Sequence, residues 1–358
     1  HCRYPVSGAQ LSVKFVSREF MIKNKIIECV PNFSEGRDAR KIARIVGEIE
    51  KVKGVKLLNV ESDADYNRTV VTFAGTPDAV KDAAFYAIGM AAEVIDMSGH
   101  KGVHPRIGAT DVCPFVPVTN VAMDECVHIA RTLGKEVGDW LGIPVYLYGK
   151  AAIKPERHVL SDIRKGEYES LPARFKNERW RPDYGPMEFN DTVKRTGATV
   201  IGAREFLIAY NVNLDTQDIR IANRISGIVR TSGIVTINEK GEKVRIPGLL
   251  KFIQAMGVYL NGHDITQISM NLQNYTVTPP HVAFEEVRKQ ARASGAGVTG
   301  SEVVGLLPKE ALLAAGRFYS AELSEARLIA VAIERLGLSQ LNKFMPEKKV
   351  IEYMLGLG

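Results

Sequence analysis

The run Thr69-Val-Val-Thr-Phe-Ala-Gly-Thr-Pro-Asp-Ala-Val80 changes character halfway, and that change decides the fold. Its first half, Thr69 to Ala74, is β-branched and apolar, as in a strand. Thr76-Pro77 then supplies an N-cap and an N1 proline for an Ala-rich helix reaching about Met97. On the N-terminal side, Val55 to Val60 reads as another strand. It follows a helix from near Arg37 whose Ile42, Ile45, Val46, Ile49 and Val52 recur at helical spacing, with Gly54 as its stop. Ile26 to Val30 reads as a buried strand and Pro31-Asn32-Phe33-Ser34-Glu35-Gly36 as a polar loop. On the C-terminal side, a Gly, His and Pro loop from Gly99 to Thr110 leads into Val112 to Val118, where Pro114 and Pro117 predict an edge strand. The resulting order is β-α-β-β-α-β.

A helix through Met123, Cys126, Val127, Ala130, Leu133, Val137 and Leu141 and a strand Val145 to Tyr148 decorate this unit. Lys165 to Gly197, rich in charge, Pro and Gly, reads as a long connecting loop. The second half repeats the order: strand Phe206 to Leu214, helix Asp218 to Arg230, strands Leu250 to Leu260 and Ile265 to Gln273, and a helix from Pro279-Pro280 through Ala293. Val235 to Ile246 alternates around Lys240-Gly241 as an exposed hairpin insertion. The expected class is α+β, two similar units in tandem, divided as 21–205 and 206–346 with a tail at 347–358.

A chain of 358 residues, 45% of them hydrophobic, can bury a large core. Its longest apolar runs fall well short of the roughly 20 residues that cross a bilayer, so no membrane span is expected. Residues 1–20 lack an initiator Met and a signal-like apolar region; they read as an extension outside the fold, with Met21 as the natural start. Cys2, Cys29, Cys113 and Cys126 stand far apart with no CxxC pair, which suggests neither a disulfide framework nor a zinc ribbon and fits a reducing, cytoplasmic setting. The formal charge of +6 comes from scattered Lys and Arg interrupted by acids. That pattern suits a solvated mixed surface, or an acidic small-molecule substrate, and without an aromatic-rich basic strand it does not suit nucleic acid.

The densest polar constellation falls on loops at one end of the first unit: Asn32, Glu61, Asn67, Arg68, His100, His104 and Arg106. Gly102 and Pro105 make a helix between His100 and His104 improbable, and no HExxH or third ligand is near, so no metal is expected. His104 is then either a structural histidine or a general acid/base with an unperturbed pKa near about 6.5. Arg68 and Arg106 are either surface cations or bidentate carboxylate holders suited to a dicarboxylate. Glu61 either positions His104 or an arginine, or is a solvated strand-end acid. Asn211 and Asn213, alternating on one strand, are either edge polar residues or ligand contacts. Phosphate-cradling loops, a nucleophile elbow and a Cys-His pairing are absent from the sequence.

The sequence resembles the formiminotransferase domain of formimidoyltransferase-cyclodeaminase and its stand-alone relatives, the glutamate formimidoyltransferases. The likeness runs from about Ile26 to Leu355 and is carried by Glu28-Cys-Val-Pro-Asn-Phe-Ser-Glu-Gly36, Asn67-Arg-Thr-Val, Ile95-Asp-Met-Ser-Gly-His-Lys-Gly-Val-His-Pro-Arg-Ile-Gly108, Gly166-Glu-Tyr-Glu and Gly202-Ala-Arg-Glu-Phe-Leu-Ile-Ala-Tyr-Asn-Val-Asn-Leu214. The resemblance implies two ferredoxin-like subdomains with a ligand cleft between them, a homodimer, and transfer of the formimino group of N-formimino-L-glutamate to tetrahydrofolate, a co-substrate carrying a polyglutamate tail in cells. It implies that His104 is catalytic and that Gly185-Pro186 through Gly197 contact folate. With it, Arg68, Arg106, Glu61 and Asn32 are expected to bind the amino-acid substrate, and Asn211 and Asn213 the folate. Formyl transfer from 5-formyltetrahydrofolate to glutamate is the alternative within the class, and a non-catalytic folate-binding protein the alternative outside it. The chain stops soon after Ile351-Glu-Tyr-Met, so a cyclodeaminase half is not expected.

Overall fold

The structure, a computed structural model, describes residues 25–260, 262–321 and 324–357; the expected extension 1–20 and start at Met21 lie outside them. The first unit is built on strands β1 (Ile26–Cys29), β2 (Asn32–Phe33), β3 (Val55–Asp63), β4 (Arg68–Gly75), β5 (Thr110–Thr119), β6 (Val145–Gly149) and β7 (Thr199–Ala203). β1 and β2 run end to end between β4 and β5, so the sheet reads across as β3, β4, β1 with β2, β5, β7, β6. The antiparallel β-α-β-β-α-β core is extended by β7 and β6, both parallel to their neighbours.

Helices α1 (Ala39–Glu50), α2 (Pro77–Val94) and α3 (Met123–Leu141) cover one face. The Asp38 side chain caps α1 by accepting the Arg40 N–H at 2.9 Å, and Ile45 and Ile49, four residues apart, bury its inner stripe. Ile27, Cys29, Phe33, Phe73 and Phe115 meet these helices from the sheet.

Two expectations need correction. β5 is central, antiparallel to β1 and parallel to β7. Pro117 is tolerated because pairing with β7 ends at Phe115 and it sits where the register with β1 shifts, while Pro114 stays within the ladder opposite Gly202. The stretch 165–197 is no bare loop: it carries the short helices Leu171–Lys176 and Asp191–Thr196, anchored by buried Tyr168, Leu171, Phe175 and Val193. Those apolar residues are spaced too thinly among charges to show a period.

The second unit contains β8 (Ile208–Leu214), the separate hairpin β9 (Ile234–Ile237) and β10 (Lys243–Ile246), and β11 (Ile253–Leu260), β12 (Ile265–Leu272) and β13 (Val298–Val304). Its main sheet is ordered β11, β12, β8, β13, repeating the core order of the first. Helices α4 (Ile219–Val229), α5 (Pro280–Ala293), α6 (Lys309–Tyr319) and α7 (Glu325–Arg335) complete it.

Ile26, Leu58, Ala74 and Val116, on the other face of the first sheet, belong to the second unit's core with Phe206, Leu307, Val350 and Ile351. The closing residues are therefore packed rather than trailing: Val350 and Ile351 are fully buried, and the Ile351 N–H donates to the Leu307 carbonyl at 3.1 Å. Among the described residues no helix is long and apolar enough to cross a membrane.

Candidate active site

Four consecutive residues after His104 are tied to the scaffold. The Arg106 carbonyl accepts from Tyr168 N–H, the Ile107 N–H donates to Asp111 Oδ1, the Gly108 carbonyl accepts from Ser34 Oγ, and the Ala109 N–H donates to the Thr196 carbonyl, at distances of 2.7–3.1 Å. A Cβ on Gly108 would lie 2.1 Å from the Ala198 carbonyl oxygen, so only glycine fits this close approach. Just before the ties, Val103 and Pro105 protrude into solvent with His104 half-buried between them.

Asn67 stitches three loops together from the β3–β4 turn, where its φ of 48° is the left-handed value asparagine tolerates. Its Oδ1 accepts from Gly36 N–H and its Nδ2 donates to the Lys101 carbonyl, both at 3.0 Å. Its carbonyl lies 3.2 Å from His100 Nε2. Because His100 Nδ1 accepts from Arg106 Nε–H, at 3.3 Å, the His100 proton sits on Nε2 and donates to Asn67. His100 therefore has no ring nitrogen left for a ligand.

Arg106 is buried and spends all five guanidinium donors inside the protein. Nη1 donates to Glu167 Oε2 at 2.7 Å and Glu169 Oε2 at 2.9 Å; Nη2 donates to Glu169 Oε1 at 2.7 Å and the His100 carbonyl at 3.3 Å; Nε takes His100 Nδ1. The paired glutamates hold its pKa above the ordinary guanidinium value. It fastens the histidine loop to residues 167–169 and keeps no donor for a substrate carboxylate. A cavity of about 500 Å³ opens beside it, lined by Met97, Gly99, Lys101, Glu167 and Glu169 among others, and His104 is not part of its lining.

His104 stands among Tyr66, whose ring is edge-on at 6.4 Å, and the charges of Asp111, Arg164, Arg68 and Arg106. Arg164 is ion-paired to Asp111 Oδ2, on the same carboxylate that holds the histidine loop through Oδ1. Burial pulls the His104 pKa down to about 4; Asp111 opposes this and the three arginines reinforce it. The ring is therefore neutral at neutral pH. Arg68 is also pushed down by burial, against Asp63 and Glu61, and makes no ion pair among the described residues. Buried side-chain polar atoms without a partner number seven among the described residues, and Arg68 Nε, His104 Nδ1 and Arg164 Nε are three of them. An unmet buried donor costs about 1–3 kcal/mol, and two such guanidinium N–H groups belong to the arginines whose charges act on His104.

Of the remaining expected residues, Glu61 is exposed on β3 and acts on Arg68 through charge. Asn32, half-exposed on β2, alternates with Phe33, which points into the helix-covered core. Asn211 and Asn213 lie on the second sheet in a polar plate: Asn211 Nδ2 donates to Glu302 Oε1 at 3.2 Å, Gln267 Nε2 donates to Glu302 Oε1 at 2.8 Å and Asn213 Oδ1 at 2.7 Å, and Asn213 Nδ2 donates to Gln340 Oε1 at 2.5 Å. Gly197 (φ 67°) closes on Ile107 and Gly108 at the base of the histidine loop. Gly185, followed by half-exposed Pro186, packs instead against Ile143 and Gly138 of α3.

Sequence reasoning missed Arg164, Asp111, Glu167, Glu169 and Tyr66. Asp111 was concealed at the head of a strand, Glu167 and Glu169 in a stretch taken for a loop, and Arg164 just before that stretch; the family-like Asp111-Val-Cys-Pro-Phe and Gly166-Glu-Tyr-Glu were the available signals.

The arrangement is thus a neutral, half-buried histidine under the charges of three arginines and one aspartate, on a two-unit α+β scaffold, and an imidazole in that state can accept a proton. Residues 26–204 match the formiminotransferase domain, N-terminal subdomain, and residues 209–356 match the formiminotransferase domain. The chain belongs to the formiminotransferase family. It is 45% identical to a glutamate formimidoyltransferase of Thermoplasma acidophilum, over 82% of this chain and 92% of that protein, and 42% identical to one of Streptococcus pyogenes serotype M1, over 82% and 93%. It is 46% identical to a formimidoyltransferase-cyclodeaminase of Gallus gallus, over 93% of this chain and 60% of that protein. The chain thus spans about 60% of the length of the bifunctional relatives it matches.

Proposed function

We propose that the protein is a glutamate formimidoyltransferase, moving the formimino group of N-formimino-L-glutamate to N5 of tetrahydrofolate and releasing 5-formiminotetrahydrofolate and L-glutamate. That places it in histidine degradation and one-carbon metabolism. The single observation that supports this most is the His104 ring, neutral, reachable and with a buried nitrogen lacking a partner, set among cations.

N5 attacks the amidine carbon and forms a C–N bond, giving a tetrahedral intermediate; the bond from that carbon to the glutamate nitrogen then breaks. The N5 proton must leave and the departing nitrogen must gain one. Neutral His104 accepts the first proton and returns it to the leaving nitrogen, so it ends the cycle as it began. Arg68, with no ion-pair partner of its own among the described residues, holds a donor carboxylate; Arg106 holds the loop rather than the substrate, and Glu61 tunes Arg68. In this reading Glu302 and Asn211 face a folate between the units while Asn213 and Gln267, buried and bonded within the plate, hold them in place rather than touch it, and Asn32 and the 185–197 segment border the same ligands. No resident metal is required. The basic balance favours capture of an anionic polyglutamate tail.

The reading extends to a cytoplasmic homodimer. The β9–β10 hairpin, whose Val235, Ile237, Val244 and Ile246 are exposed, suits a protein contact, and light scattering of the purified protein tests it.

Incubation with tetrahydrofolate and formiminoglutamate should yield 5-formiminotetrahydrofolate, recognised by its acid-driven cyclisation. Formylglutamate made from 5-formyltetrahydrofolate, with no formimino product, would replace this reading with formyl transfer. Folate binding without either product would make the chain a binding protein.

A further inference from the structure

We propose that Arg164, held by Asp111, is a second carboxylate-binding residue of the donor site, and that with Arg68 it makes the site select a donor bearing two carboxylates over one bearing a single carboxylate. This rests on the transferase reading above.

Arg68 opens β4, and Arg164 ends the short helix Leu160–Arg164, so the two guanidiniums come from different elements. Their charges act on each other and both act on the His104 ring. Each has a buried Nε–H with no acceptor. Arg164 is anchored at one end through Nη2 to Asp111, which is almost fully buried, and its side chain keeps 16% of its surface open to solvent. An arginine held through Nη2 alone, with its Nε–H unmet and Nη1 without an ion-pair partner among the described residues, keeps donors for a carboxylate, and the planar fork loses little freedom on binding. Two such residues carry two positive charges that one carboxylate cannot use fully, and a donor with two anionic ends satisfies both. Asp111 is a positioning residue: it fixes Arg164 through one oxygen and the histidine loop through the other.

The test compares Arg164→Gln with the unaltered protein, using N-formimino-L-glutamate and N-formiminoglycine as donors at fixed tetrahydrofolate. The KM for formiminoglutamate should rise about 10- to 100-fold, and kcat/KM should fall by at least about tenfold more for formiminoglutamate than for formiminoglycine, so that selectivity between the donors falls. Arg164→Lys, which keeps the charge beside Asp111 but lacks the fork, should raise the KM for formiminoglutamate by about tenfold, and it decides the matter if the glutamine variant does not fold. An unchanged KM, or an equal loss with both donors, overturns the assignment. If the unaltered protein turns over neither donor, the transferase reading fails. Calorimetry with glutarate then judges the arginine pair by itself: weaker binding by Arg164→Gln upholds it, and unchanged binding rejects it.

Discussion

His104 owes its chemistry to being half out of water. Burial disfavours the imidazolium, opposed by Asp111 and reinforced by Arg164, Arg68 and Arg106, which leaves a base already deprotonated where it must work. Replacing it with alanine should lower kcat by about 10²–10⁴-fold while folate affinity, followed by fluorescence quenching, is kept. Because its folded pKa, about 4, lies below the ordinary 6.5, its contribution to stability is present above pH 6.5 and is lost as pH falls through about 4. Its ring proton resonance, assigned by comparison with the alanine variant, should show no titration between pH 6 and 8. A midpoint near 6.5 would mean that the ring is solvated as in a free peptide.

At the level of elements, the histidine loop gets its shape from what it is tied to. Arg106 joins it to residues 167–169 with three of its five donors, the other two going to His100, and the two glutamates are themselves partly exposed, which tempers the strength of the link. Arg106→Gln should destabilise the fold by about 2–3 kcal/mol in urea unfolding, and should lower kcat more than it raises KM, because the loop moves while the donor contacts stay. A pure KM effect would return Arg106 to the role of substrate holder. Gly108→Ala forces a side chain against the Ala198 carbonyl and should destabilise the protein by at least a similar amount.

The two units act as one body through the face of the first sheet that joins the second core, and Glu28 lies in that seam. Burial, opposed by Arg204 and assisted by Glu352, raises its pKa from 4.5 to about 7. A raised carboxyl pKa means that the folded state holds a proton the unfolded chain has released. The contribution of Glu28 is complete below pH 4.5 and disappears as pH rises through about 7, with a span of roughly 3 kcal/mol. Thermal unfolding of Glu28→Gln should therefore lose less stability between pH 5 and 8 than the unaltered protein does. Parallel curves for the two would show that the carboxyl is hydrated in the seam.

Local chemistry determined a good deal of this protein. Helical spacing in Ile45 and Ile49, the Thr76-Pro77 start, the β-branched runs and the repeat of their order define two α+β units, because periodicity and caps act over a few residues and are written in order along the chain. The same locality made His104 visible, on a loop too rich in Gly and Pro to be anything but presented, and Asn67 and Arg68 at the turn between two strands. Only the tertiary structure decided that β5 lies inside the sheet despite its prolines, that Arg106 is spent on Glu167 and Glu169, and that Arg164 pairs with Asp111 under the histidine loop. Those facts depend on charges more than fifty residues apart meeting in a desolvated space, and neither spacing nor composition records which distant partner an arginine will find.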